Sequence, residues 1–106
     1  MAVPELSDDQ RRAALEKAAQ VRRERADVKT RLKSARVSLP DVLREARDNE
    51  VIGKMRVVDL LQSIPGLGKV RARSVMERLN ISESRRVRGL GINQVAALER
   101  EFHHRA

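Results

Sequence analysis

The sequence predicts a small all-α protein, and three observations support this fold class. Its 106 residues suit one domain with one modest core. Valine and isoleucine are scattered without the sustained alternation of strands. Good helix formers dominate long segments, and apolar residues recur at helical spacing. We therefore expect a long, basic, partly docked N-terminal helix over residues 1–37 and a compact helical DNA-binding core over residues 38–106.

The first helix is predicted from Ser7 to about Lys33. Ser7 and Gln10 have the spacing of a capping box, in which each side chain bonds the other residue's amide. The apolar face is thin and Arg25 interrupts it, so we expect the first half to dock weakly or to order on a partner. That face consists of Ala14, Ala18, Val21, Val28 and Leu32.

Four further helices and one helical turn follow. Ser38 is placed to cap the second helix, with Pro40 in its first turn. The third is predicted over about 57–64, where Pro65 stops it. The fourth covers about 69–79, Ser82 caps a short helical turn, and the last covers about 93–103. The residues expected to face the core are Val42, Leu43, Ala46, Val57, Leu60, Leu61, Ile64, Val70, Val75, Met76, Leu79, Val95, Ala96, Leu98 and Phe102.

The charge favours an anionic partner. The net charge is +8, with +4 in residues 1–38, −1 in 39–64 and +5 in 65–106. Such a balance is typical of nucleic-acid binding. Phe102 is the only aromatic residue, which disfavours single-strand binding by base stacking. Binding to duplex phosphates needs no aromatic residue.

Other classes of function find little support. The chain has no cysteine, so disulfides and thiolate zinc sites are excluded. His103 and His104 are adjacent and do not share a helix face. We find no supported catalytic set, no phosphate-binding Gly-Lys-Ser/Thr motif, no signal peptide and no apolar run of membrane-spanning length. We expect a cytoplasmic protein that is not an enzyme and uses no metal or cofactor.

The segment 60–72 is the most informative part of the chain. A helix ends, Pro65-Gly66-Leu67-Gly68 reverses the chain, and a basic helix begins. Both glycines are expected to allow positive φ and close approach of the backbone, with Leu67 pointing inward. The free amides at the start of the next helix form an anion site, to which Lys69, Arg71 and Arg73 add charge. The alternative is a plain helix connector capped by glycine.

A partial second copy, Arg88-Gly89-Leu90-Gly91, precedes the last helix. Before it lies the densest arginine group of the chain, Arg85, Arg86 and Arg88, which we call the arginine cluster. Arginine suits phosphates and narrow minor grooves; the alternative is a solvated turn. Pro65 is either a helix stop or an apolar wedge at a base step.

Segment 60–72 resembles the helix-hairpin-helix family, which binds duplex DNA through backbone phosphates. Nearly the whole chain is similar to the actinobacterial integration host factor family, through residues 6–10, 13–19 and 51–55, the hairpin and residues 81–91. The resemblance implies a helix-two-turns-helix-like core and a nucleoid-associated protein that binds and bends duplex DNA with little sequence specificity and assists phage integration. It also implies that residues 65–69 and the arginine cluster contact DNA.

The expected partners are double-stranded DNA and phage integrase–DNA complexes, with no membrane. We expect a monomer, whose two basic blocks could bridge two duplexes. The alternative is an RNA-binding ribosomal protein of related helix-turn-helix architecture. The candidate DNA-binding residues are Pro65, Gly66, Leu67, Gly68, Lys69, Val70, Arg71, Arg73, Arg85, Arg86, Arg88, Gly89, Gly91, Asn93 and Gln94. The candidate secondary contacts are Arg22, Arg23, Lys29, Lys33, Arg36 and Lys54.

Overall fold

The predicted all-α fold class is confirmed. A computed structural model describes residues 7–103, and the regular elements in that range are helical, apart from one isolated β-bridge. The helices are α1 (Asp8–Lys33), α2 (Leu39–Glu45), α3 (Glu50–Gly53), α4 (Val57–Gln62), α5 (Lys69–Arg78) and α6 (Ile92–Glu101), with a 3₁₀ turn at Val87–Gly89 before α6.

Helix α1 begins at the predicted capping box and docks through its C-terminal half. The Gln10 amide donates to the Ser7 hydroxyl at 3.1 Å, and the Ser7 amide donates to the Gln10 side chain at 2.9 Å. Val28 and Leu32 are buried, whereas residues 8–18 are exposed. The thin alanine face therefore leaves the first three turns of this helix outside the core.

Ser38 caps α2 as predicted, and its partner is Asp41. The Asp41 amide donates to the Ser38 hydroxyl, and the Ser38 amide donates to the Asp41 carboxylate at 3.0 Å. The sequence analysis missed α3, a single turn capped by the Asn49 side chain, which accepts from two amides. Asparagine before a short apolar run was the available signal.

A single core joins the C-terminal half of α1 to the other five helices. Its buried apolar residues are Val28, Leu32, Leu39, Val42, Leu43, Ile52, Met55, Val57, Leu60, Leu61, Ala72, Val75, Met76, Ile81, Val87 and Leu98. Ile64, Leu79, Val95 and Phe102 are half-buried against it, as are Val37, Ala46, Val58, Leu67 and Leu90.

Val70 was wrongly predicted to face the core. Its side chain is 81% exposed, while Ala72, two residues further on, is fully buried. Val70 lies in the first turn of α5, where the inward face begins only at Ala72 and continues through Val75 and Met76. Periodicity gave the correct face for the later turns and the wrong one for the first.

Several boundaries also differ from the prediction. Helix α4 ends at Gln62, and α6 covers Ile92–Glu101 rather than 93–103. Ser82 does not cap a helix: its carbonyl accepts from the Arg85 amide in a turn, and the 3₁₀ turn begins only after Arg86. His104 lies outside the described residues.

Candidate nucleic-acid interface

The hairpin, residues 64–69, reverses the chain between α4 and α5. The Leu67 amide donates to the Ile64 carbonyl at 3.1 Å, and Leu67 is half-buried against the core. Gly66 has φ +80°, which requires glycine. Gly68 does not: its φ is −81° and ψ 178°, and a Cβ built there meets nothing within 4 Å. The prediction of positive φ is therefore right for Gly66 and wrong for Gly68, which is the N-cap of α5.

The first turn of α5 presents open backbone amides at the surface. No side chain caps this helix end, and Pro65, Gly66 and Gly68 are exposed. Lys69 is exposed, and no charged partner for it lies among residues 7–103. Uncapped amides, the helix dipole and one ammonium group together form a site for an anion such as phosphate.

Arg71 braces this turn rather than standing free. Its guanidinium donates to the Gly66 carbonyl at 3.2 Å. The bond uses one of five donor hydrogens, so the remaining donors stay available beside the α5 amides. Arg71 thus joins the hairpin it was predicted to serve.

The arginine cluster is held in place by a short antiparallel pairing. Arg56 and Arg86 form an isolated β-bridge. The Val57 amide donates to the Arg85 carbonyl, and the Val87 amide donates to the Met55 carbonyl, each at 3.0 Å. This pairing fixes the extended segment before the 3₁₀ turn onto the start of α4.

The bridge brings Arg56 beside the cluster. Arg56 is exposed and precedes α4 as its N-cap residue. Sequence analysis missed this residue, because a β-bridge between distant positions has no local pattern. It leaves a fourth exposed arginine on the surface that the cluster forms.

The cluster side chains make backbone contacts that orient them. Arg85 donates to the Gly89 carbonyl at 3.0 Å, and Arg86 donates to the Lys54 carbonyl at 3.3 Å. Arg88 makes no hydrogen bond or ion pair with residues 7–103. Each guanidinium retains several outward donors for a phosphate or a base edge.

The hairpin and the arginine cluster are neighbours. Helix α4 has six residues and joins the cluster's pairing segment to the hairpin, so about 9 Å of helix separates them. Arg73 of α5 also pairs with Glu83 of the turn before the cluster at 3.0 Å. The structure therefore brings together the two predicted sites, with Arg73 in a bridging role.

The second Gly-Leu-Gly segment resembles the first only in part. Gly91 is the N-cap of α6 with φ −75°, much as Gly68 is for α5, but Gly89 lies in the 3₁₀ turn and not at positive φ. The Gly91 amide donates to the Gln94 side chain at 2.9 Å, and Gln94 donates to the Asn80 carbonyl at 2.9 Å. Gln94 thus closes the start of α6 from within, while Asn93 is exposed.

The candidate secondary contacts are more dispersed. Lys54 lies next to the cluster and pairs with Glu50 at 2.9 Å. This ammonium group lowers the pKa of Glu50, and Lys17 and Arg88 act in the same direction. Lys17, which sequence analysis did not select, therefore places part of α1 near the cluster. Lys29 is half-buried, and the exposed candidates on or just after α1 are Arg22, Arg23, Lys33 and Arg36.

Residues 7–103 contain no group of acidic, histidine or cysteine side chains arranged to hold a metal ion. No helix in that range has the length and apolar character needed to cross a membrane.

Comparison with known proteins gives consistent matches. The model of the S13-like H2TH domain family matches residues 32–102. The integration host factor of Streptomyces coelicolor is 65% identical over 102 residues, covering 96% of this chain and 95% of that protein. The integration host factor of Mycobacterium tuberculosis is 51% identical over 102 residues, covering 96% and 97%. A solved structure of sIHF bound to an 8-bp palindromic DNA superposes with a TM-score of 0.80 at 66% identity, covering 82% of this chain and 98% of that one.

Proposed function

The chain belongs to the actinobacterial integration host factor family, and from that premise we propose that it is a nucleoid-associated protein that binds and bends double-stranded DNA. The DNA in the structure of the 66%-identical relative supports duplex DNA as the ligand. The observation that carries the proposal is the position of the hairpin beside the arginine cluster. A cytoplasmic, nucleoid location follows from such a ligand.

Two neighbouring contacts of different geometry provide the mechanism. The uncapped amides of α5 and Lys69 hold backbone phosphates. The arginine cluster and Arg56, about one α4 length away, enter the adjacent minor groove. A straight duplex that meets both contacts only by curving is bent at the cost of elastic energy, which the added contacts offset.

Low sequence specificity follows from the types of donor present. Backbone amides and guanidinium groups on phosphates position a duplex but carry no sequence information. With about five to eight phosphates neutralised, the logarithm of affinity should fall against the logarithm of salt concentration with a slope of about −5 to −7. Affinity that does not change with salt would refute phosphate-led binding.

The direct test replaces Arg85, Arg86 and Arg88 together by alanine. We expect affinity to fall about equally for duplexes of unrelated sequence, because these side chains contact the DNA backbone. The measurement is fluorescence anisotropy on several labelled duplexes. Loss of affinity for a single sequence alone would instead indicate direct base recognition.

A matched control separates local contacts from overall charge. The exposed residues Arg25, Arg44 and Arg100 lie on α1, α2 and α6, and their replacement by alanine removes the same three charges. We expect this variant to retain most of the affinity. An equal loss in both triple variants would show that net charge, and not the cluster, drives binding.

Bending and integration need separate measurements. Energy transfer between dyes at the two ends of a short duplex should rise on binding if the duplex bends, and stay constant if it does not. A reconstituted phage integrase reaction, with and without the protein, tests the proposed assistance to integration and chromosome organisation.

The scattered cations on α1 are proposed as secondary contacts that could link a second duplex. Capture of a labelled duplex by an immobilised one, mediated by the protein, would support bridging. Replacing Arg22 and Arg23 by alanine should reduce that capture while leaving binding of a single duplex nearly intact. A monomer in sedimentation is expected in the absence of DNA.

The description of the matching family model as S13-like favours one alternative, an RNA-binding ribosomal-type protein. Competition between duplex DNA and structured RNA for the labelled protein decides between them. Preference for RNA would overturn the DNA proposal.

A further inference from the structure

An open apolar groove lies beside the proposed DNA interface. It has a volume of about 540 Å³ and runs between α6, the end of α2 and the 3₁₀ turn. Its apolar lining consists of Leu43, Ala46, Val87, Leu90, Ile92, Val95 and Ala96. Arg88 of the arginine cluster also lines it, so the groove adjoins the surface that would face DNA.

Ile92 stands at this groove with its side chain 88% exposed. A single exposed apolar residue is ordinary on a protein surface. Ile92 differs because it lies next to an open apolar groove and shares a face of α6 with Val95, Ala96 and Glu99, at helical spacing. This face of α6 therefore has both an apolar projection and an apolar cavity beside it.

Two opposite charges line the same groove without partners. Arg47 comes from the turn after α2 and Glu99 from α6. Neither side chain makes an ion pair or hydrogen bond with residues 7–103. By contrast, six other ion pairs are formed elsewhere in the same range. A partner for this groove must therefore supply an apolar side chain and charges of both signs.

We propose that this groove binds the same groove of a second copy of the chain on adjacent DNA. A two-fold contact places one patch against itself. In such a contact Ile92 of each copy enters the groove of the other, and Arg47 of each copy meets Glu99 of the other. The chain thus supplies its own complement in shape and charge.

The contact is too small to hold a free dimer. Stable interfaces bury about 1,600 Å² in total, whereas this one involves a single short groove. It forms when DNA raises the effective concentration of neighbouring copies, which agrees with the expected monomer in solution. The inference rests on the proposed DNA binding, and its consequence is cooperative coating of duplex DNA.

The test compares duplexes that hold one copy with duplexes that hold two adjacent copies. We expect the second copy to bind about tenfold more tightly than the first, within the range typical of coupled sites. Ile92→Gln should reduce this factor to about one and leave single-copy affinity unchanged. The matched control Leu15→Gln alters another exposed apolar side chain, on α1, and should retain cooperativity.

A charge-swap experiment identifies the second copy as the partner. Arg47→Glu alone and Glu99→Arg alone should each abolish cooperativity, because each places like charges opposite one another in both halves of the contact. An equimolar mixture of the two variants should restore it, since a mixed pair has both charge pairs complementary. A contact within one chain, or with DNA, would not be restored by mixing.

Single-copy affinity separates the two possible failures. If the protein does not bind the single-copy duplex, the proposed function fails. If it binds there but two copies bind independently, or if the mixture stays non-cooperative, only the copy-to-copy contact is overturned.

Discussion

Glycine at position 66 should stabilise the hairpin, whereas glycine at position 68 should serve close approach to DNA. Gly66 has φ +80°, and a residue with a Cβ in that region costs about 1–2 kcal/mol. Against this, alanine lowers the entropy of the unfolded chain by about 0.4–1 kcal/mol. We therefore expect Gly66→Ala to lower the free energy of unfolding by about 1 kcal/mol.

Gly68→Ala is the matched variant. The backbone there is extended and a Cβ meets nothing within 4 Å, so no strain is expected. Alanine is a poorer N-cap than glycine, and this loss roughly offsets the entropy gain. The free energy of unfolding should stay within about 0.5 kcal/mol of that of the native protein, as expected of a surface change.

The same pair separates in DNA binding. The Gly68 backbone faces solvent at the anion site, so a Cβ there keeps a phosphate from the α5 amides. Urea denaturation gives the stability of each variant, and anisotropy gives its affinity. We expect Gly66→Ala to lose stability and Gly68→Ala to lose affinity while remaining fully folded. The reasoning is refuted if Gly66→Ala is as stable as the native protein, or if Gly68→Ala unfolds more readily.

Three further predictions concern the core, the interface and pH. Leu60→Ala, at a fully buried position, should lower the free energy of unfolding by about 2–5 kcal/mol in the same denaturation assay; a loss under 1 kcal/mol would contradict its packing. Arg56→Ala should weaken duplex binding in anisotropy without changing the melting temperature, because the side chain is exposed beside the arginine cluster; unchanged affinity would remove it from the interface. The amide and hydroxyl of Ser38 lower the pKa of Asp41, so this cap stabilises α2 above the ordinary aspartate pKa and is lost as pH falls through the lowered value. NMR titration should show that the pKa of Asp41 rises in Ser38→Ala, and an unchanged value would contradict the cap.

The features that sequence predicted well are local ones. The capping box at Ser7 and Gln10 and the cap at Ser38 depend on residues three apart, so residue type and spacing suffice. The stop before Pro65 and the reversal at Gly66 follow from restricted or permissive backbones.

The errors arise where a local pattern had two outcomes. Val70 fits an apolar helical face by periodicity but lies in a first turn that points into solvent. Gly68 was expected to share the conformation of Gly66, yet it takes the extended geometry of an N-cap. In both cases the packing of α5 against α4 decides the outcome, and that packing is not encoded within a few residues.

The sequence by itself determined the helical class, the helix caps, the basic balance and the hairpin, because each follows from the chemistry of neighbouring residues. Tertiary structure alone decided which cations share a surface. The pairing of Arg56 with Arg86, the bridge from Arg73 to Glu83 and the nearness of hairpin and cluster join distant segments. Only burial of a common core fixes the relative positions of such segments.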